Sequence, residues 1–591
     1  MISDRKIPQR RDASRQWFWP VAAGLLATLA LVQILTIRQE SQTWDEGFEI
    51  ASGYSFLKTG DYRISLEQPP VGRILSAVPL LWLNPSLPLD HPSWRQRDEV
   101  AFGREFLYGN RVPADRLLFW ARMPTILATF VLGLALALWT RSAFGPTAAL
   151  CALALFAFDP NIIAYGRYAK NDMLVTLWSL MATVAWADYL RGGRRRSLMA
   201  AGLLLGLAVG TKFSAIFLLP VFAILVLFRA LETPNREQGR ETVARGLRAL
   251  LIAAAMGAGV TVAAYGPEIR MLMPATRAGR EADPSIRMLR DVADARTATG
   301  RAMRWAGNRL GLPAHPLLEG INDVASHNFD GHESYLLGMH GKTGWWYYFP
   351  IAFAVKTPVA TLILLFISLA AAGRRMVARV GPRSQFFHGW ITASTFRYAV
   401  ALVPIAVYGS LAMLAHIDIG LRHLLPVYPL LFALLGAAMA RWRPRYAVAA
   451  CALLMVESLA AYPDYLAFFN AAAGGPSQGP KYLLDSNLDW GQDAIKLKSW
   501  MNARGVREVC TCYFGTAELA HYGIAGPNVP PTRDRRREAD CFAAISVTAL
   551  YGNYVAPGDY TWLRSLQPVA KIGYSIYVYD LRRNSETGAE R

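Results

Sequence analysis

The chain has 591 residues, 53% of them hydrophobic, and carries a formal net charge of +19. Runs of about 20 apolar residues recur through its first four-fifths, which excludes a soluble protein and identifies a polytopic membrane protein. The excess charge sits in basic loops between these runs, so it reports topology and contact with anionic membrane lipids, not nucleic-acid binding.

Residues 1–16 form a basic tail, with Arg5, Lys6, Arg10, Arg11 and Arg15 set against Asp4 and Asp12. That excess retains the N-terminus in the cytoplasm. The apolar run 17–37 follows. Its basic start and apolar middle resemble a signal peptide, but no small-x-small cleavage site follows, so it reads as an uncleaved first span. Further spans are predicted near 117–139, 147–165, 173–190, 198–210, 213–228, 247–265, 348–371, 398–415, 424–440 and 446–461. That makes about eleven crossings within a transmembrane body at 17–462. The two spans flanking Lys212 are short, and Lys212 is expected to snorkel to an interface.

Loop charges support this topology. The loops assigned to the inside hold Arg191 and Arg194 to Arg196; Arg229, Arg236, Arg240, Arg245 and Arg248; Arg374, Arg375, Arg379 and Arg383; and Arg441, Arg443 and Arg445. The outer turns are much less uniformly basic, which is the positive-inside pattern. Three outer segments are long: 38–116, 267–347 and 463–591. In the last, 492–503 reads as an amphipathic helix and 506–514, 541–547 and 569–581 as strands, together a small α/β outer domain. Cys151 and Cys451 fall in spans as packing residues. An oxidising compartment would permit one disulfide in the outer domain, from Cys510 or Cys512 to Cys541.

Several constellations carry chemistry. Asp45-Glu46 follows the first span at headgroup depth. A carboxylate there can take a proton from a hydroxyl acceptor while the bundle holds a lipid donor; the bland reading is a solvated pair after a helix end. In Glu67-Gln-Pro-Pro-Val-Gly-Arg73 the two prolines stiffen the approach to Arg73. That guanidinium suits bidentate phosphate binding or ordinary interfacial anchoring. The outer turn 159–172 holds Arg167, Lys170 and Asp172. Two cations there break the outer-face depletion of positive charge and point to a ligand, while Asp172 also suits a helix cap. Arg422 and His423, at the outer end of the tenth span, suit a phosphate or a sugar hydroxyl. His327, Asp330, His332, Glu333 and His340 gather in the second outer segment. Their spacing matches no standard ligand pattern, so sugar or acceptor contact, or a solvated loop, ranks above a metal. Trp345-Trp346-Tyr347-Tyr348 reads as an aromatic belt.

These residues resemble those of a known family. An Asp-Glu pair after the first span, an x-Pro-Pro-x-x-Arg element and a second Asp after an Arg-Tyr turn are similar to the lipid-linked-sugar glycosyltransferases of the C-type fold. The likeness is greatest to the branch holding protein O-mannosyltransferases and the bacterial aminoarabinose transferase of lipid A. The stretches 206–215, 331–346 and Asp485-Ser-Asn-Leu-Asp-Trp-Gly-Gln-Asp493 also look typical of that branch or its bacterial members. Gln68 stands where the family often has His, and Arg73 where it often has Lys.

The resemblance implies a polytopic C-type fold and sugar transfer, with inversion, from a polyprenyl-phosphate carrier to an outer-face acceptor on a protein, lipid or glycan. By it Asp45 is the general base, Glu46 orients the sugar or Asp45, and Asp172 positions the acceptor or a cationic partner. Arg73, Arg167, Lys170, Arg422 and His423 are its donor-phosphate ligands. With that many cations no metal or other cofactor is expected. A plasma-membrane location, inner in a two-membrane cell, follows. The competing reading is a transporter or flippase of a lipid-linked glycan, which would place ionisable groups near the bilayer midplane. Here nearly all charges fall at span ends, apart from Lys212 and Glu457. A subunit of an envelope assembly is a third reading and predicts no activity in the purified chain.

Overall fold

The computed structural model describes residues 13–233, 235–266, 269–271, 298, 301, 311–313, 315–379, 395–534 and 540–582. Most of the basic tail, Arg383 and much of the second outer segment lie outside the described residues.

The chain is a multi-pass membrane protein. Its principal helices are α1 (Ala13–Ile37), α2 (Glu46–Thr59), α3 (Val71–Ala77), α4 (Ala114–Phe144), α5 (Pro146–Ala157), α6 (Asp172–Gly192), α7 (Arg195–Val209) and α8 (Leu218–Leu231). They continue as α9 (Arg236–Ala264), α10 (His315–Asp330), α11 (Tyr348–Lys356), α12 (Val359–Arg379), α13 (Thr395–Ala412), α14 (Tyr428–Met439), α15 (Pro444–Ala460) and α16 (Ala494–Ala503).

The expected count of eleven crossings is not reached on length and composition. Among the described residues seven helices are long and apolar enough to cross a membrane, or eight if one bent pair is a single span. The expected spans at 147–165, 198–210 and 446–461 correspond to α5, α7 and α15, of 12, 15 and 17 residues. A straight crossing needs about 20. Hydropathy windows do not see the turn at Phe158 that ends α5, or the break at Gly210 that ends α7.

Packing in the bundle follows from its residues. Trp186 of α6 stacks on Phe222 of α8 at 4.7 Å and donates its indole N–H to the Phe222 carbonyl at 3.0 Å. Gly206 lets α7 approach α9 closely, since a Cβ there would stand 2.6 Å from the Gly257 carbonyl oxygen. The bent pair α11 and α12 turns by 114° at Thr357-Pro358. Proline cannot continue the ladder. Glu457 of α15 satisfies the freed donors, accepting from Val359 N at 3.0 Å and Ala360 N at 3.2 Å. Lys356 ends the first half and donates to the carbonyls of Leu466 (2.7 Å) and Asn487 (2.6 Å). Residues after the last helix of the bundle are thereby drawn back into one of its ends.

The C-terminal segment forms a four-stranded sheet of β1 (Val509–Cys512), β2 (Phe542–Ser546), β3 (Ala570–Ile572) and β4 (Ile576–Asp580), in the order β1-β2-β4-β3. β1 runs parallel to β2 with Cys510 opposite Ala543; the other pairs are antiparallel. The expected single strand at 569–581 is a hairpin, and α16 packs its Leu497 and Met501 into the same small core. A disulfide joins Cys510 to Cys541, and Cys512 is free. The sheet is fastened to the first outer segment. Ser41 N donates to Gln492 O at 2.9 Å and Trp44 N to Trp490 O at 2.8 Å.

Candidate active site

At one end of the bundle a cavity of about 300 Å³ collects side chains from every outer segment. Asp45 and Glu49 come from the start of α2, one helical turn apart, so both point the same way. Arg73 comes from α3, held close because Gly53 of α2 has no Cβ. A Cβ there would stand 2.2 Å from the Arg73 carbonyl oxygen. Lys170, Asn171 and Asp172 arrive at the N-terminus of α6, Lys212 from the break after α7, and Arg422 and His423 ahead of α14. The C-terminal segment adds Asp485, Trp490, Phe514 and Tyr554.

These charges alternate in a chain. Asp45 Oδ2 meets Lys170 Nζ at 2.9 Å and Arg422 Nη1 at 3.1 Å. Lys170 also meets Glu49 Oε1 at 2.6 Å, and Glu49 Oε2 meets Arg73 Nε at 2.6 Å. Arg73 further donates to the carbonyl and hydroxyl of Ser65. Asp172 Oδ1 receives Lys212 Nζ at 2.7 Å. The Arg422 guanidinium lies over Trp490, 4.3 Å from the ring centroid. Burial opposes ionisation of Asp45, but Lys170 and Arg422 outweigh it and hold the carboxyl below the usual range. Glu49 is lowered in the same way: Arg73 and Lys170 overcome its burial.

Three nitrogens on this wall have no hydrogen-bond partner among the described residues although they are buried: Arg422 Nε, His423 Nε2 and Asn171 Nδ2. Buried donors are normally satisfied. The unpaired donors of Arg422 and Asn171, beside four cations, form a place for an anionic oxygen-rich group. A second, apolar groove of about 560 Å³ lies alongside, walled by α7, α9 and α10. Val324 of α10 lines both spaces.

Residues 115–264 match the family described as dolichyl-phosphate-mannose-protein mannosyltransferase. No curated protein matches the chain. Among solved structures, the Saccharomyces cerevisiae protein O-mannosyltransferase Pmt1-Pmt2 complex bound to the sugar donor superposes with a TM-score of 0.50 at 11% identity. That match covers 76% of this chain and 89% of the yeast one. The chain has the C-type glycosyltransferase fold. ArnT from Cupriavidus metallidurans in the apo state is similar over 96% of this chain and 98% of its own, at 14% identity and a TM-score of 0.44. AglB from Archaeoglobus fulgidus, in complex with an inhibitory peptide and a dolichol-phosphate, is similar over 96% and 74%, at 11% identity and 0.43.

Within this C-type fold the expected residues separate into two groups. Asp45, Arg73, Lys170, Asp172, Arg422 and His423 all line the cavity. Glu46 and Arg167 are not among its lining residues. Glu46 is fully buried and grips Arg122 of α4 with both oxygens, at 2.7 Å each. Arg167 is fully buried against Glu40 at 2.6 Å. Neither side chain therefore reaches the cavity directly, where Glu46 was expected to orient the sugar or Asp45 and Arg167 to meet the phosphate. Three smaller expectations change as well. Asp172 makes no cap bond; Asn171 precedes the helix and the Asp172 carboxylate is turned to Lys212. Lys212 does not snorkel but pairs inside the cavity. Arg73 lines the cavity already engaged by Glu49.

In the second outer segment His327 and His332 meet at 2.8 Å, while His340 sits apart against Tyr335. Among the described residues no three His, Cys, Asp or Glu are grouped to hold a metal ion. Sequence reasoning assigned no role to Glu49, Phe514 and Tyr554. Glu49 was detectable as the partner one turn after Asp45. Nothing local marks Phe514 and Tyr554, which reach the cavity only because the C-terminal sheet is docked.

Proposed function

We propose that the protein transfers a sugar, with inversion, from a polyprenyl-phosphate carrier to a hydroxyl or amine acceptor on the extracytoplasmic face. The observation that carries this is the pairing of a cationic cavity with an apolar groove across Val324. A lipid-phosphate donor needs both surfaces side by side: a dry apolar wall for its chain and donors for its phosphate. The family description matching residues 115–264 supports the donor class. The ionisable groups gather at one end of the bundle, whereas alternating access needs them near the midplane.

In this reading Arg422, Lys170 and His423 receive the phosphate charge as the sugar–phosphate bond breaks. Asp45 accepts the proton of the acceptor as its oxygen or nitrogen attacks the anomeric carbon. Asp172 holds Lys212 toward the same phosphate. No step requires a metal. The cavity end faces the outside of the plasma membrane, inner where there are two, with the N-terminus in the cytoplasm.

The test is transfer from a panel of radiolabelled polyprenyl-phosphate sugars in membranes, wild type against Asp45→Asn. Label should reach an acceptor with wild type and fall by about 10²–10⁴-fold in the variant. Equal transfer by equally abundant protein would remove Asp45 as the base. No transfer by wild type from any carrier would remove the enzyme reading.

A further inference from the structure

Behind the charged chain, five titratable side chains of the cavity wall form one continuous string. Tyr554 donates its hydroxyl to Asp485 Oδ2 at 2.6 Å. The same hydroxyl meets His332 Nε2 at 2.9 Å, and His332 Nδ1 meets His327 Nε2 at 2.8 Å. His327 Nδ1 ends the string at Glu67 Oε1, 3.4 Å away. The two ends differ in exposure. Asp485 is buried, whereas the Glu67 side chain is 51% exposed.

The inner end also meets the reacting region. Asp485 faces Arg422, the guanidinium that Asp45 holds, and feels the Asp45 charge. Backbone strain marks the same place. Asp485 and Tyr554, the pair joined at 2.6 Å, have φ of +57° and +59°. Ser65, beside Arg73, has φ of +58°. Left-handed backbone at non-glycine residues costs energy and collects at working sites. Burial pushes the Asp485 carboxyl up to about 6, against the opposing Tyr554 bond and Arg422. Asp45 is held low by its two cations. A proton on Asp45 is therefore acidic relative to one on Asp485.

We propose that this string is a proton relay that clears the cavity after each transfer, an inference that rests on the glycosyl-transfer reading. The acceptor O–H or N–H bond breaks as its heavy atom bonds the anomeric carbon, and the lipid phosphate leaves with the electrons of the sugar–oxygen bond. The released proton leaves Asp45 for water in the cavity, which both carboxylates line, and that water passes a proton to Asp485. Asp485 then hands a proton to the Tyr554 oxygen while the Tyr554 proton moves to His332 Nε2. The His332 Nδ1 proton moves to His327 Nε2, and the His327 Nδ1 proton leaves through Glu67 to solvent. Each imidazole then exchanges its Nε2 proton for one on Nδ1 through water, which restores the starting tautomers for the next cycle. No oxidant, metal or co-reactant takes part. Arg422, Asp45, Tyr348, Asp330 and the Glu333 carbonyl face the inner and middle groups of the string, and Lys170, Arg73, Glu99 and Asp323 face Glu67. Clearing the proton returns Asp45 to the ionised form that holds Lys170 and Arg422 in place.

Tyr554→Phe cuts the string at one atom while its ring can keep its stacking on Phe514, at a centroid distance of 5.2 Å. The full-length protein in membranes is assayed with whichever labelled polyprenyl-phosphate sugar wild type uses, at several pH values, with and without imidazole. Turnover in Tyr554→Phe should fall by about tenfold or more, with the KM for the donor unchanged, and imidazole should restore it. His332→Gln, which keeps a polar side chain but cannot titrate, should show the same loss and the same rescue. Wild-type turnover in Tyr554→Phe overturns the relay, and so does a loss that imidazole leaves untouched at every pH. Absence of transfer by wild type itself overturns the underlying reading instead.

Discussion

Arg422 and Arg167 both stand at the cavity end of the bundle, yet Arg422 faces the cavity and Arg167 is sealed against Glu40. Their loss should therefore differ in kind. On the proposed reading, Arg422→Ala removes a charged donor and should weaken binding of a polyprenyl phosphate by about 10- to 100-fold, matching the 1.5–3 kcal/mol of such a bond. Arg167→Ala strands Glu40 in the interior and should cost about 3–5 kcal/mol of stability, with binding retained per folded molecule. Thermal unfolding and ligand titration on both variants check the contrast; equal loss of binding would refute it. Glu46 carries a pH signature. Burial opposes its ionisation, but Arg122 outweighs that and keeps its carboxyl below the usual range. The native state thus binds fewer protons than the unfolded one. This stabilisation is complete above about pH 4.3 and is lost as pH falls through the lower folded value. Glu46→Gln should remove that part of the acid sensitivity, read from melting temperatures across an acidic pH series.

At the level of elements, the site depends on close approaches more than on helix propensity. Gly53 sets the distance from α2 to α3, and through it the Glu49–Arg73 pair. Gly53→Ala should separate the two helices and lower transfer while the bundle stays folded, because the contact lies in the outer segment and not between spans. Unchanged activity would show that Arg73 is not positioned this way. In the C-terminal sheet, the Cys510–Cys541 bridge spans 31 residues. Cys510→Ser with Cys541→Ser should cost about 2–4 kcal/mol of stability in that sheet. Because Phe514 and Tyr554 reach the cavity from the same domain, donor turnover should fall with it. Normal turnover in the double variant would argue that the sheet holds without its bridge.

The whole molecule places its charges on two sides. The basic loops after α6 and α8 close one end of the bundle, and the cavity lies at the other, where α6 begins. An alkaline phosphatase reporter fused after residue 582 should be active in a bacterial host, and one fused at Arg194 inactive. The reverse result would invert the proposed orientation.

The apolar runs, the basic loops between them and the strand alternation near the C-terminus are properties of neighbouring residues. The amino-acid sequence alone therefore determined the polytopic class and the small C-terminal sheet. It also brought out most of the cavity: Asp45, Arg73, Lys170, Asp172, Arg422 and His423 stand near span ends or in the long segments between spans, and charge beside apolar runs is conspicuous. Helix breaks at Phe158, Gly210 and Pro358 left no comparable trace, because a hydropathy window averages over them. Which charge faces the cavity and which is buried behind it was decided by tertiary structure alone. Glu46 and Glu49 are both carboxylates of α2, three residues apart. The partner that each one meets, Arg122 from α4 or Arg73 from α3, exists only once separate helices pack together. Asp485, Tyr554, His332 and His327 likewise come from three distant stretches and become a string only when the C-terminal sheet docks on the bundle.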